Sequence, residues 1–372
     1  MVVTYLVYLG LTAFVTFSPL VSCKLKKNWH TYWLVGVFIP VLIVSIVLGG
    51  RWNVGTDWDE YRGYYNSIMT FGLTWTEILS NSLEPIYLLL NVFIATFNLS
   101  SSYFFTFIAL LHFICYAFVY RRNWQILPLG FFFFMVFFLP LMLNIQRQTL
   151  AICVFFLSTF YIGKSAIKFF IGIVFAYFIH YSSIVLFPLF FVSKNIFSFL
   201  ENRFLAIIFY VGSILLSGPL NTIVSIIFSM FVSNEKYIKN MEEVSIEMEV
   251  FSGLGIIASH IINLTIIMCS KKLCLSTALS SLNVHAIYRC FLIGCLSSNV
   301  FGLSMFLSRV SFALTSLKII LLPCLCYLLL TSRTSLASKF FAFGLILLSL
   351  SMFVASISNG AGGISPFTFY WV

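Results

Sequence analysis

Asn144-Ile145-Gln146-Arg147-Gln148 interrupts two otherwise apolar runs, Phe131 to Leu141 before it and Leu150 to Tyr161 after it. An arginine at the edge of hydrocarbon is costly, about 2.5–3.5 kcal/mol at a helix centre, unless it faces a partner or a polar cavity. Gln146, Arg147 and Gln148 are consecutive donors beside Asn144, and together they read as the lining of an anion site. The simpler alternative is an interfacial Arg147 snorkelling to lipid phosphate. Arg309 repeats the pattern at the end of a later apolar run.

A second interruption, His180, separates two apolar segments, Phe169–Ile179 and Ser182–Val192, bounded by Lys168 and Lys194. Each half would reach only roughly 17–20 Å as a helix, short of a bilayer core. The turn is therefore expected at the floor of a recess, on the same side as Arg147. His112 and His260 lie in mid-run and read as packing residues. Upstream, Arg51-Trp52-Asn53-Val54-Gly55-Thr56-Asp57-Trp58-Asp59-Glu60-Tyr61 mixes carboxylates with aromatic faces, the composition a sugar site uses, or simply a solvated loop. Asp57-Trp58-Asp59 also matches the D-x-D of soluble, metal-using glycosyltransferases, but no nucleotide fold surrounds it. Glu84-Pro85 opens a short apolar helix, where proline suits the first turn and an acid suits the dipole.

The elements holding these residues are set by composition. Of 372 residues, 61% are hydrophobic and 9% charged, against roughly 25% charged in soluble proteins. That excludes a soluble enzyme and points to an all-α, polytopic membrane protein, with residues 1–372 forming one membrane domain. The first run, Val2–Val21, is followed by Lys24, Lys26 and Lys27, and is expected to be a retained span starting outside. Apolar runs then give about twelve crossings, plus re-entrant or interfacial helices such as Glu84–Asn98. Basic residues lie inside, and all acids but Glu201 fall outside. Arg289, near an inner end, fits snorkelling. Lys318 lies within a span and needs a partner or water. The nine Cys suggest neither a disulfide framework nor a zinc site. The +10 charge is accounted for by inner-face bases, so nucleic acid is not implied. No P-loop, G-x-G-x-x-G, H-E-x-x-H or G-x-S-x-G occurs, so ATP-driven transport and nucleotide-sugar chemistry lack support.

The order Arg51…Gly55-Thr56-Asp57…Tyr61, Glu84-Pro85, Asn144…Arg147-Gln148…Ala151, Ala176…His180-Tyr181-Ser182 and Arg309…Phe312 resembles the EpsG family of Wzy-type bacterial polysaccharide polymerases. The resemblance is strongest from Arg51 to Val192, and the tail Pro366-Phe367 echoes it loosely. It implies a GT-C-like helical enzyme in the bacterial inner membrane, with its site facing outward and no metal or other cofactor. Its substrates would be oligosaccharide repeat units on undecaprenyl pyrophosphate, its surroundings membrane lipids, with room for a chain-length regulator protein as partner.

Preorganised cations stabilise a departing pyrophosphate, and the candidates are Arg147, Arg309 and Arg51. An acceptor hydroxyl needs a base, and His180, Asp57 and Glu84 compete for that role. Tyr61, Asn144 and Gln148 would contact substrate. Direct attack inverts the anomeric centre and a two-step route does not; both fit the sequence. A flippase for the same lipid-linked glycans is the alternative function, though internal repetition, its expected sign, is not evident. A ligase or acyltransferase is a further alternative.

Overall fold

A computed structural model describes residues 1–25, 29–72, 83–220, 222–223, 253–301, 311–331 and 336–370. The named elements are all helical, and one isolated antiparallel bridge joins Arg51 to Phe369. Helix is what such a sequence must form, because in hydrocarbon every backbone N–H and C=O has to be satisfied within the segment.

In chain order the helices are α1 (Val2–Leu25), α2 (Trp29–Gly49), α3 (Trp58–Phe71), α4 (Pro85–Ala95) and α5 (Ser101–Val119). Next come α6 (Leu127–Phe137), α7 (Leu139–Asn144), α8 (Gln146–Ser158) and α9 (Ala166–Ile179), then a 3-10 helix over Tyr181–Ser193. The remainder are α10 (Arg203–Leu215), α11 (Leu254–Met268), α12 (Ser270–Cys274), α13 (Val284–Phe301), α14 (Ser311–Thr331) and α15 (Leu336–Ser358).

Among the described residues five helices are long and apolar enough to cross a membrane: α1, α2, α5, α14 and α15. The sequence led us to expect about twelve, counting apolar runs of spanning length. Six shorter apolar helices also lie among the described residues, and two of the interruptions have local causes. The run Trp124–Leu143 is cut at Phe138, with Pro140 at the start of α7. The run 169–192 is cut at His180, whose backbone is extended (φ −156°, ψ 117°). An apolar stretch can therefore have spanning length while its helices do not. The charged segment 234–249 and Arg309 lie outside the described residues.

The packing serves the two interruptions. Helix α2 runs along α5, closely enough that a Cβ on Gly49 would come within 2.6 Å of Thr106 Cα. Helix α8 packs against both α5 and α9; α9 in turn packs on α4, and α4 on α3. Buried tyrosines and histidines tie these helices together. Tyr116 donates to the Ile319 carbonyl at 2.8 Å, joining α5 to α14. His112 and His260 are packing residues, as their sequence positions suggested. His112 Nε2 meets Thr149 Oγ1 at 3.0 Å, and His260 Nδ1 meets Tyr210 Oη at 2.7 Å.

The tail folds back over the 50–56 loop. Gly55 N donates to Gly363 O (2.9 Å), Trp52 N to Thr368 O (2.9 Å) and Tyr370 N to Gly50 O (2.8 Å). Tyr8 of α1 donates to Ile364 O at 2.9 Å, so the first helix, the loop and the tail form one clamped layer.

Candidate active site

Three charged or titratable side chains from distant parts of the chain meet at one carboxylate. Glu84 caps α4, and its two oxygens are divided between two donors. Oε2 accepts from Arg147 Nη1 at 2.9 Å, and Oε1 from His180 Nδ1 at 2.7 Å. The Glu84 side chain is 4% exposed, Arg147 23% and His180 19%. The acid is thus the buried hub, and the two cation-forming groups are its partly open rim.

Each position follows from local sequence. Pro85 starts α4 with a fixed φ and leaves Glu84 extended (φ −65°, ψ 137°) at the N-cap. Ile145 (φ −90°, ψ 57°) separates α7 from α8 and puts Arg147 in the first turn of α8. A cation there opposes the helix dipole, and the Glu84 carboxylate offsets that. His180 sits at the break after α9, where its backbone N–H still bonds Ala176 O at 2.9 Å while the chain turns away.

Burial alone would raise the Glu84 carboxyl. The His180 hydrogen bond and the Arg147 charge outweigh that and hold it down at about 2, so it is ionised at neutral pH. An ionised carboxylate only accepts, so His180 Nδ1 carries the proton and Nε2 is left as the basic nitrogen. A carboxylate fixing an imidazole in this way presents a proton acceptor. The guanidinium on the other carboxylate oxygen adds a fixed positive charge beside it.

The other residues singled out in the sequence separate into two groups. Tyr61 joins the site: it is buried, and its ring centroid lies 5.9 Å from the Arg147 guanidinium. Burial raises its phenol to about 12, so it stays protonated and can donate. Asp57 is half-buried just before α3, accepting from its neighbour Thr56 Oγ1 at 3.1 Å. Among the described residues its carboxylate has no bond to Glu84, Arg147 or His180. Gln148 is buried next to Arg147 in sequence.

Arg51 and Asn144 bond to other parts of the protein. Arg51 is 2% exposed, its guanidinium stacked on Phe105 at 4.6 Å. It donates to the carbonyls of Val54 (3.1 Å), Leu48 (3.0 Å) and Leu143 (3.5 Å). Each nitrogen of that guanidinium faces a backbone oxygen, so in this structure the residue expected as a phosphate ligand packs inside the protein. Asn144 Oδ1 accepts from both Thr56 N (2.5 Å) and Thr56 Oγ1 (2.9 Å), and Nδ2 donates to Pro140 O (2.9 Å). These bonds latch the loop to α7 through Asn144, the residue expected to contact substrate. Gly55 makes the approach possible: its φ is +102°, and a Cβ there would lie 2.6 Å from Leu143 O.

A second Glu–Arg–His cluster forms on other elements. Arg289 Nε (2.7 Å) and His285 Nδ1 (2.9 Å) both reach Glu201 Oε1, while Arg289 Nη1 donates to Val192 O and Lys194 O. Arg289 is 7% exposed, so it pairs internally and does not snorkel. Cys274 brings a third metal-type donor within 4.8 Å of Glu201 and His285. The guanidinium already on that carboxylate disfavours a cation, and the cluster reads as a staple joining α13 to the segment before α10.

Sequence reasoning offered His180 and Glu84 as rival bases, whereas they form one bonded unit. Tyr87, not singled out in the sequence because nothing in an apolar run marks one tyrosine from another, lies one turn beyond Glu84 on α4 and 5.9 Å, ring to ring, from Tyr61.

Comparison with known proteins bears on what such a site does. The model of the EpsG family matches residues 34–369. No curated protein and no solved structure matches the chain.

Proposed function

Because this chain belongs to the EpsG family, whose general role is Wzy-type polysaccharide polymerisation, we propose that it joins oligosaccharide repeat units carried on undecaprenyl pyrophosphate. The observation that carries the reading is the convergence of Arg147 and His180 on Glu84. A base and a cation side by side are what a glycosyl transfer from a pyrophosphate needs.

In the proposed reaction an acceptor sugar hydroxyl gives its proton to His180 Nε2, and its oxygen attacks the anomeric carbon of the donor glycan. The C–O bond to pyrophosphate breaks, and the leaving oxygen takes the electron pair. The products are one glycosidic bond, undecaprenyl pyrophosphate and the proton on His180. Glu84 orients the imidazole and balances its charge as it becomes cationic, a role worth about 10²–10⁴-fold for a positioned base. Arg147 stabilises the pyrophosphate as negative charge grows. Tyr61 donates to the sugar or phosphate from the neighbouring face. Arg309 remains a candidate for a second phosphate contact.

We assign the site to the outer face of the bacterial inner membrane. Arg121 and Arg122 follow the C-terminus of α5; Lys164 and Lys168 lie at the connection from α8 to α9. Both groups are at the helix ends opposite Glu84, and positive residues favour the cytoplasmic side. The helical body would then be GT-C-like, with lipid-linked glycans as substrates and no metal required.

The test is Arg147→Ala in cells that make the polymer, with Arg147→Lys beside it. The expected result is loss of polymer while single repeat units persist on lipid and the protein remains folded in the membrane. Polymer of wild-type length from Arg147→Ala would remove Arg147 from the mechanism.

A further inference from the structure

The hydroxyl of Tyr87 is the feature the mechanism leaves unexplained. Tyr87 is 1% exposed, and its ring is packed edge-on to Phe104 at 5.8 Å and against Tyr61 at 5.9 Å. Its carbonyl is engaged, accepting from Asn91 Nδ2 at 2.8 Å. Among the described residues its Oη has no hydrogen-bond partner, although buried tyrosine hydroxyls nearly always have one. The same holds for Arg147 Nε, whose guanidinium already bonds Glu84 through Nη1. The two unpaired groups belong to residues packed around Tyr61: Tyr87 touches its ring, and the Arg147 guanidinium lies 5.9 Å from it. The side chains around the carboxylate hub therefore keep two hydrogen-bonding groups that no atom of the described residues uses.

We propose that Tyr87 is a ligand-binding residue of this site, its hydroxyl donating to an anionic oxygen of the pyrophosphate group when donor substrate enters beside Arg147. This deepens the polymerase reading and rests on it. A neutral phenol is a sound complement to the arginine. It adds a donor to the phosphate without another buried charge to neutralise, and its ring is already held by Phe104 and Tyr61. The hydroxyl is covered in the free protein, so the side chains over it must rearrange when substrate enters. Catalytic hydrogen bonds commonly tighten only in the substrate complex.

Tyr87→Phe gives a clean test because the hydroxyl bonds no described residue of the protein. Removing it breaks no hydrogen bond among those residues, so the melting temperature in detergent should be unchanged or slightly higher. Purified wild-type and Tyr87→Phe proteins would be compared for elongation of lipid-linked repeat units and for binding of undecaprenyl pyrophosphate itself. The inference expects affinity for the pyrophosphate lipid and elongation rate both to fall about ten- to a hundredfold, the range for a hydrogen bond to a charged group. Binding and elongation both at wild-type level would overturn it. So would a fall in melting temperature matching the loss of activity, since that assigns the hydroxyl to the fold. If wild-type protein elongates nothing, the polymerase reading has failed; if it elongates and Tyr87→Phe does so equally, only this inference has.

Discussion

Glu84→Gln isolates the hub without changing its shape. The amide keeps one acceptor and puts an NH2 where the second oxygen was, so either Arg147 or His180 meets a donor where it now meets an acceptor, at 2.9 and 2.7 Å. The size of the effect follows from the acid's protonation. Its carboxyl is held at about 2 against an ordinary 4.5, and at 1.36 kcal/mol per pH unit that favours the ionised form by about 3 kcal/mol. Breaking a buried pair on one side is in the same range, about 3–5 kcal/mol. Glu84→Gln should therefore melt a few degrees lower at pH 7, and a cycle with Arg147→Gln should give a coupling of about 1–3 kcal/mol.

The pH dependence has a defined sign. Because the folded-state value is depressed, the stabilisation is fully present above about 4.5 and is lost as pH falls through about 2. The gap between wild type and Glu84→Gln should shrink as pH falls from 4.5 towards 2. Equal melting temperatures at pH 7, or a gap that widens as pH falls through that range, would refute the reasoning.

Three further outcomes are expected. His180→Gln should slow elongation by about 10²–10⁴-fold with the protein still folded; elongation at the wild-type rate in the variant excludes the imidazole as base. Gly55→Ala forces a side chain into φ +102° and to 2.6 Å from Leu143 O, so it should destabilise by about 1–3 kcal/mol; an unchanged melting temperature contradicts the latch. Arg289→Met leaves Glu201 and two backbone carbonyls short of a donor and should destabilise by about 2–4 kcal/mol, with normal elongation per folded molecule. A specific loss of rate there would mean that the second cluster serves the reaction.

Much of this site was legible because polar residues in apolar runs are conspicuous. Arg147 and His180 stand out against Phe-rich surroundings, and Glu84-Pro85 carries a helix-start pattern. Their bonding to one another was not legible, since it joins residues 63 and 96 positions apart through helix packing that leaves no local pattern. The same limit explains Arg51 and Asn144: a sequence gives polar type and spacing, but not whether each donor faces substrate or a carbonyl. The count of about twelve crossings goes beyond the five long apolar helices among the described residues, because hydropathy measures the length of a run and does not show a division such as the one before Pro140, whereas the break at His180 is marked in the sequence itself. His112 and His260 were read correctly from position alone, because a histidine deep in an apolar run needs a neighbouring polar partner and each has one.

Purified protein supplied only with undecaprenyl-pyrophosphate-linked repeat units, without nucleotide sugar or any energy source, tests the central claim most directly. Mass spectrometry of the glycans should give a ladder at multiples of one repeat mass, with one undecaprenyl pyrophosphate released per linkage, and no ladder from Glu84→Gln, Arg147→Ala or His180→Gln. Glycans that stay at a single unit with folded wild-type protein, or a ladder indifferent to all three substitutions, would contradict it.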